Sequence, residues 1–191
     1  MLRPNLSLTS SISLIILVSS ALFETIVPRL SVEDLIDRSD VVVAGEVTRS
    51  WAAWDASHKY IWTHHDVAVS SSLKGAAGSS VELAEPGGAV GAEGMTISGS
   101  VAYQVGDKVV VFLQKMPNGY LRTAGAGQGR FALDSAGKIH GASPTSVEFI
   151  ESSAGSASAT RLEALNGLSV NELAVRIAAR IRQSAQRQGA R

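Results

Sequence analysis

The chain of 191 residues contains no cysteine. This absence excludes disulfide bridges, thiolate metal sites and cysteine nucleophiles, and it also excludes the acylated cysteine that anchors a bacterial lipoprotein. Side-chain packing and hydrogen bonds must therefore supply the stability of the fold.

An excess of either charge is also missing, because 17 lysines and arginines balance 17 aspartates and glutamates. No overall field would draw a nucleic acid to such a surface, so nucleic-acid binding is not expected. The length suits one domain with short appendages rather than two independent domains.

Long apolar segments are limited to one run near the N-terminus. Arg3 precedes a polar stretch and then the run Ile12 to Phe23, about 12 residues long, which is too short to cross a hydrocarbon core of ~30 Å. Ser19 and Ala21 place small residues at the two key positions before a cleavage site. The pattern predicts a signal peptide over 1–21 and an exported protein, periplasmic or extracellular. A buried N-terminal helix and an uncleaved anchor are the alternatives.

The chain does contain 18 glycines together with many valines, serines and threonines, and this balance favours short strands joined by turns. Alternation between apolar and polar residues predicts long strands over 40–49 and 60–73. A third strand over 108–114 is apolar on both faces, as expected where both faces are covered. Shorter strands are predicted over 80–85, 120–123, 130–133 and 138–140.

Two helices flank the predicted strands. Ser31 is a helix N-cap with an acidic residue three positions later, and it predicts a short helix over 31–38. Ser169 begins a similar pattern followed by an apolar stripe, which predicts a C-terminal amphipathic helix over 169–191. The segment 151–168 begins with a small polar tract that cannot order itself, and we interpret it as a flexible linker.

The C-terminal helix is basic along one side, where Arg176, Arg180 and Arg187 lie. Such a helix could contact an anionic membrane surface. Cations in the last turns of a helix also complement its dipole, and we expect the apolar stripe to dock on the strands instead.

A more specific pattern covers 39–114. It contains S-D-V-V-V-A-G-E-V, a second strand ending in L-K-G, then S-V-E-L, a glycine-rich loop and V-G-D-K-V-V-V-F-L. This order resembles the first four strands of the netrin module and of the tissue inhibitors of metalloproteinases, which share an oligonucleotide/oligosaccharide-binding (OB) type barrel. It also resembles a group of uncharacterised exported bacterial proteins with similar patterns at 86–88, 105–113 and 128–131.

The resemblance implies a mainly β fold. We expect 22–150 to form a small OB-like β-barrel, closed or partly open, that includes the short N-terminal helix. The metalloproteinase inhibitors bind the protease zinc through a cysteine-tethered N-terminus, and this chain has no cysteine to hold one. Inhibition of an extracellular protease is therefore an alternative that rests on fold resemblance alone.

The candidate ligand-binding residues are aromatic. Trp51, Trp54, Tyr60 and Trp62 gather in and beside a predicted loop between the first two long strands, near one end of the barrel. They could form a platform for a sugar, a peptide or a partner protein, or they could plug the barrel end. We predict a non-catalytic binding or interaction module with a protein or glycan partner of unknown identity.

His64 and His65 invite a metal-site interpretation, but neighbouring residues on a strand point to opposite faces and cannot converge on one ion. No metal and no cofactor are predicted. We expect His64 to be exposed beside Trp62 and Asp66, and His65 to be hydrogen-bonded at the core margin. No nucleophile, base and acid stand together, so an enzyme is not predicted. The alternative is a hydrolase assembled only in three dimensions, for example from Asp66, His64 and a serine.

Overall fold

A computed structural model describes residues 27–141, 149–150 and 161–189. The predicted signal peptide and the tract 151–160 lie outside these residues. The strands are β1 Val27–Pro28, β2 Val41–Trp54, β3 Ile61–Lys74, β4 Ser80–Pro86, β5 Gly88–Val90, β6 Glu93–Met95, β7 Lys108–Lys115, β8 Leu121–Thr123, β9 Arg130–Leu133, β10 Ile139–Gly141 and β11 Phe149–Ile150. The helices are α1 Val32–Arg38 and α2 Val170–Gly189, with a 3-10 turn at Leu162–Leu165.

Seven strands form the main sheet in the order β10-β9-β7-β2-β3-β4, and β8 pairs with β7 beside β9. β5 and β6 form a separate ribbon, while β1 and β11 form a short parallel pair. The prediction of a mainly β chain with two helices is confirmed within the described residues.

Closure into a barrel is not confirmed, because β4 and β8 do not pair within the described sheet. Where β4 approaches β8, a side chain makes the contact: the Glu85 carboxylate accepts the backbone N–H of Thr123 at 2.9 Å. At this seam, hydrogen bonds from β8 to the Glu85 side chain therefore stand where a strand-to-strand ladder would close the sheet.

The two longest strands, β2 and β3, form an antiparallel hairpin. The strand predicted over 40–49 extends to Trp54, so the loop expected after it is mostly absent. Asp55 explains the extension, since its carboxylate accepts the backbone N–H groups of Lys59 and Tyr60 and closes a short turn. With the turn closed in this way, the ladder continues to the last residue of β2.

One face of the sheet, here called the helix-covered face, packs beneath α1 and α2. α1 begins at the predicted capping box, in which Ser31 Oγ accepts the N–H of Asp34 at 3.0 Å. The apolar core of this face comprises Leu30, Val32, Leu35, Ile36, Val42, Ala44, Val110, Phe112, Ala124, Phe131, Ile139, Leu165, Leu173 and Ile177.

The opposite face, here called the cavity face, has a core of its own. It comprises Val43, Val47, Val67, Leu83, Tyr103, Val109, Val111 and Leu113. Alternate residues of β7 enter the two cores, Val110 and Phe112 on one side and Val109 and Val111 on the other. The prediction that this strand is covered on both faces is confirmed.

The segment 161–168 is structured, and the prediction of a linker over 151–168 is wrong for this part. Leu165 is fully buried, and the outer edge of β10 is covered because Ile139 exchanges backbone hydrogen bonds with Gly167 and Leu168. The physical reason is the apolar surface of this stretch, which the preceding polar tract lacks.

α2 docks through its first turns, where Leu173 and Ile177 are buried. Further along, Ile181 is 43% exposed. None of the helices among the described residues combines the length and the hydropathy that a membrane span requires.

Candidate functional site

A cavity of about 660 Å³ opens on the cavity face, near the turn end of β2 and β3. The sheet contributes Ser50, Thr63, His65 and Glu85 to its lining. The end of β4, the ribbon of β5 and β6 and the chain that follows contribute Pro86, Gly87, Gly88, Ala89, Gly94, Met95, Thr96, Ile97, Ser100, Val101, Ala102 and Tyr103. The glycine-rich stretch after β4 therefore forms one side of a pocket.

Two glycines hold the ribbon against the hairpin. The Gly87 N–H donates to the carbonyl of Ile61 at 2.8 Å, and Thr63 Oγ1 donates to the Gly87 carbonyl at 2.7 Å. Gly88 has a φ of +130°, and a Cβ there would collide with Thr63 Oγ1. Glycine is required at this position because both the backbone conformation and the close approach exclude a side chain.

His65 is the most deeply buried ionisable group contributed by β3, with 2% of its surface exposed. Its Nδ1 lies 2.9 Å from Ser50 Oγ, while its Nε2 is buried without a hydrogen-bond partner among the described residues. Burial, followed by the nearby His64, lowers the pKa of His65 to about 4, so the ring is neutral at neutral pH. The prediction of a hydrogen-bonded histidine at the core margin is confirmed.

Glu85 and Tyr103 are buried beside this histidine. The Glu85 carboxylate accepts the Thr123 N–H and lies 3.4 Å from Arg122 Nε, and the Tyr103 hydroxyl lies 2.6 Å from Thr123 Oγ1. Burial raises the pKa of Glu85, against the opposing effect of the Thr123 and Arg122 contacts. Burial also raises the pKa of Tyr103. Desolvation thus disfavours the charged form of every ionisable side chain that lines the cavity.

The four predicted aromatic residues do not come together. Trp51 and Trp54 lie on β2 rather than in a loop, because the strand continues through both. Trp51 pairs in register with His64 and shares a face with Trp62, whereas Trp54 alternates to the cavity face. Tyr60 lies in the turn and is 52% exposed. A role for these residues in binding stays a prediction.

Trp51 belongs to an aromatic cluster with Trp62, His64 and Tyr120. His64 stacks on Trp51 with a centroid distance of 5.2 Å, and Tyr120 meets His64 edge-on at 5.3 Å. The Arg49 guanidinium lies 4.3 Å from the centre of the Trp51 ring. The Trp51 ring therefore already has two partners, the His64 ring and the Arg49 guanidinium.

The prediction of an exposed His64 is wrong, since only 8% of its surface is accessible. Tyr120 precedes β8, which approaches β4, and its ring packs edge-on against the His64 ring. Glu82 Oε1 lies 2.8 Å from His64 Nδ1. His64 and His65 do lie on opposite faces, because their contacts are with Trp51 and Tyr103 respectively. No group of three or more potential metal ligands occurs within the part of the chain that the structure describes.

The sequence reasoning missed Ser50, Glu85 and Tyr103. A signal existed for Glu85, since it continues the inward alternation of Val81 and Leu83 and is an acid at an apolar position. No comparable signal marks Tyr103, which reaches the site from an irregular segment.

Comparison of the chain with protein-family models, with curated proteins and with solved structures finds no match. The cavity is therefore interpreted from its own geometry and chemistry.

Proposed function

We propose that this protein is a non-catalytic binding module whose ligand occupies the cavity. The observation that carries the proposal is the Nε2 of His65, which has no hydrogen-bond partner among the described residues, at a cavity of about 660 Å³. Ligand sites in proteins measure roughly 300–1,000 Å³ and combine an apolar lining with a few convergent polar groups. Ionisable side chains with shifted pKa values in a cleft also favour a functional site.

A blocked cavity tests the proposal. Ala89 lies on the ribbon, is exposed and lines the cavity, so Ala89→Trp adds an indole there without removing a buried contact. Ala92→Trp is the matched control, because Ala92 is exposed at the tip of the same ribbon and outside the lining. In a thermal-shift screen of a fragment library, we expect compounds that stabilise the wild type to stabilise A92W and not A89W. The proposal fails if no compound stabilises the wild type or if A89W responds equally.

A hydrolase is the second candidate, favoured by the 2.9 Å contact between Ser50 Oγ and His65 Nδ1. In serine hydrolases the second ring nitrogen of the histidine donates to a carboxylate, which orients the ring and stabilises its charged form. His65 Nε2 has no such partner among the described residues, and a pKa of about 4 makes the ring a weak base at neutral pH. Ser50 therefore positions His65. Labelling of the wild type by a fluorophosphonate, lost in Ser50→Ala, would favour the hydrolase instead.

We propose that the fold is a netrin-like OB barrel. In this proposal, Glu85 on β4 joins β4 to β8 where the barrel closes. The hydrogen bond from the Thr123 N–H to this carboxylate supports it. In amide hydrogen exchange, we expect Thr123 to be protected in the wild type and to exchange faster in Glu85→Ala. Equal protection in both would count against the seam.

The predicted aromatic residues are proposed as a second binding surface, separate from the cavity, for a glycan or a protein partner. Trp54 stacks on His58 at the turn, and Tyr60 is exposed beside it. Glycan-array and pull-down signals should fall in Trp54→Ala, and a signal unchanged by this variant would contradict the proposal.

Export is proposed from the sequence alone. The apolar run Ile12 to Phe23 and the small residues Ser19 and Ala21 support removal of 1–21. Mass spectrometry of the protein expressed in a bacterium with its own leader should find Leu22 at the N-terminus. Retention of Met1 in the purified protein would contradict cleavage.

A further inference from the structure

We propose that the cavity selects an uncharged ligand with an apolar body, and that a hydrogen-bond-accepting oxygen of this ligand binds His65 Nε2. This inference rests on the proposed binding function, since it names the ligand class of the same cavity. Three features of the lining support it: few charged side chains, many apolar side chains, and His65 Nε2, which has no hydrogen-bond partner among the described residues.

Among the described residues, the lining contains no lysine, arginine or aspartate, and its only carboxyl group is that of Glu85. An anionic ligand would lose its hydration without gaining a cationic partner. A cationic ligand would have to compete with Arg122 and the Thr123 N–H, which already contact the Glu85 carboxylate. Both signs of charge are therefore disfavoured in this cavity.

Apolar side chains supply much of the remaining lining. They are Pro86, Ala89, Met95, Ile97, Val101 and Ala102. Contact with these groups rewards an apolar body, because burial of apolar surface is favourable in proportion to area.

His65 supplies the polar contact. In the proposed arrangement, the Ser50 hydroxyl donates its proton to His65 Nδ1, which lies 2.9 Å from Ser50 Oγ. The ring is neutral, because burial lowers its pKa to about 4, and a neutral ring with an accepting Nδ1 carries its proton on Nε2. Nε2 is then a buried donor without an acceptor in the described part of the chain, a situation that folded proteins normally avoid. A ligand oxygen would satisfy it.

Four probes with one naphthalene body test the inference. They are 2-acetylnaphthalene (a neutral acceptor), 2-ethylnaphthalene (no oxygen), 2-naphthoate (an anion) and 2-(aminomethyl)naphthalene (a cation). We expect 2-acetylnaphthalene to bind the full-length protein about tenfold more tightly than 2-ethylnaphthalene, as one hydrogen bond allows. We expect the two charged probes to bind more weakly than 2-ethylnaphthalene.

His65→Phe keeps the ring and removes the donor, so it should bring the acetyl-to-ethyl affinity ratio close to one. His140→Phe is the control, because His140 is exposed and lies outside the cavity lining. It should leave the ratio unchanged. The probe series in the wild type does not depend on the folding of either variant.

Preferred binding of a charged probe, or equal binding of the acetyl and ethyl compounds, would overturn the ligand class. If binding of such a probe is lost in A89W and kept in A92W, the proposed binding function is supported although the proposed ligand class is wrong. Failure of all four probes overturns the inference, whereas failure of the whole fragment library to stabilise the protein overturns the proposed function.

Discussion

The two faces of the sheet bury different kinds of side chain. On the helix-covered face, Phe112 and Phe131 meet edge-on at 5.7 Å. The Gln128 side chain is satisfied there, because its Oε1 accepts the Leu30 N–H and its Nε2 donates to backbone carbonyls. On the cavity face, His65 Nε2 is left without a partner among the described residues. The first face is packed for stability, whereas the second retains an unsatisfied group beside a cavity, as expected where a site trades stability for binding.

The directions of the pKa shifts also differ between the two faces. Between the helices, hydrogen bonding to Arg180 lowers the pKa of Asp37, so the charged form is favoured. On the cavity face, burial raises the pKa of Glu85 and lowers that of His65, so the charged forms are disfavoured. Ionisation of Asp37 therefore stabilises the fold, whereas ionisation of Glu85 or His65 destabilises it.

The largest expected effect concerns the helix-covered core. Phe112→Ala should lower the free energy of unfolding by about 3–5 kcal/mol, because it leaves a cavity in a fully buried cluster. Urea unfolding measures the loss. Val175→Ala, at a position that is 68% exposed, is the control and should change stability by less than about 0.5 kcal/mol. A loss below about 1 kcal/mol in F112A would show that this face is not closely packed.

Glu85→Ala should cost about 1–3 kcal/mol, because it leaves the buried Thr123 N–H without an acceptor. Glu85→Gln keeps an acceptor and is the matched variant. The pKa of Glu85 is raised in the folded state, so the folded protein binds the proton more tightly, and stability falls as pH rises from 4.5 through the folded pKa. Urea unfolding of both proteins across this range should show that the wild type loses stability relative to E85Q. A constant difference between the two proteins would exclude Glu85 as the cause.

His65 should produce the opposite slope. Its pKa is about 4 in the fold against an ordinary 6.5, so the unfolded chain binds the proton more tightly and stability falls as pH drops from 6.5 to about 4. The slope is at most about 1.4 kcal/mol per pH unit for one proton. His65→Gln should flatten it, whereas the exposed His140→Gln should not. Identical profiles for H65Q and the wild type would refute the burial argument.

The alternating pattern predicted the central strands well because it is local. β7 covers Lys108–Lys115 against a prediction of 108–114, and the Ser31 capping box placed α1. The end of β2 was missed because W-A-A-W carries no clear alternation, and its strand structure depends on pairing with β3.

The candidate site was missed for a different reason. The cavity forms where Tyr103, Thr123 and Glu85 meet from three distant segments, and only Glu85 carried a pattern that placed it inward. The burial of His64 likewise depends on Tyr120, which reaches β3 because β8 approaches β4 although the two strands do not pair. Such contacts are set by the tertiary arrangement rather than by local periodicity.

The smallest expected effect tests whether charge matters on the helix-covered face. Arg180 donates to both carboxylate oxygens of Asp37 and joins α2 to α1, but the Asp37 side chain is partly exposed. Asp37→Asn should therefore cost only about 0.2–1 kcal/mol, and less in 1 M NaCl, where the screening length is about 3 Å.

Because hydrogen bonding to Arg180 lowers the pKa of Asp37, its contribution is present above pH 3.8 and is lost as pH falls through the folded pKa. Val175→Asn, at an exposed position of α2, is the control for urea unfolding at both salt concentrations. A loss above about 2 kcal/mol in D37N would mean that the helices are held by charge rather than by Leu35, Leu173 and Ile177. The two faces would then depend equally on their polar groups, and the contrast between them would no longer hold.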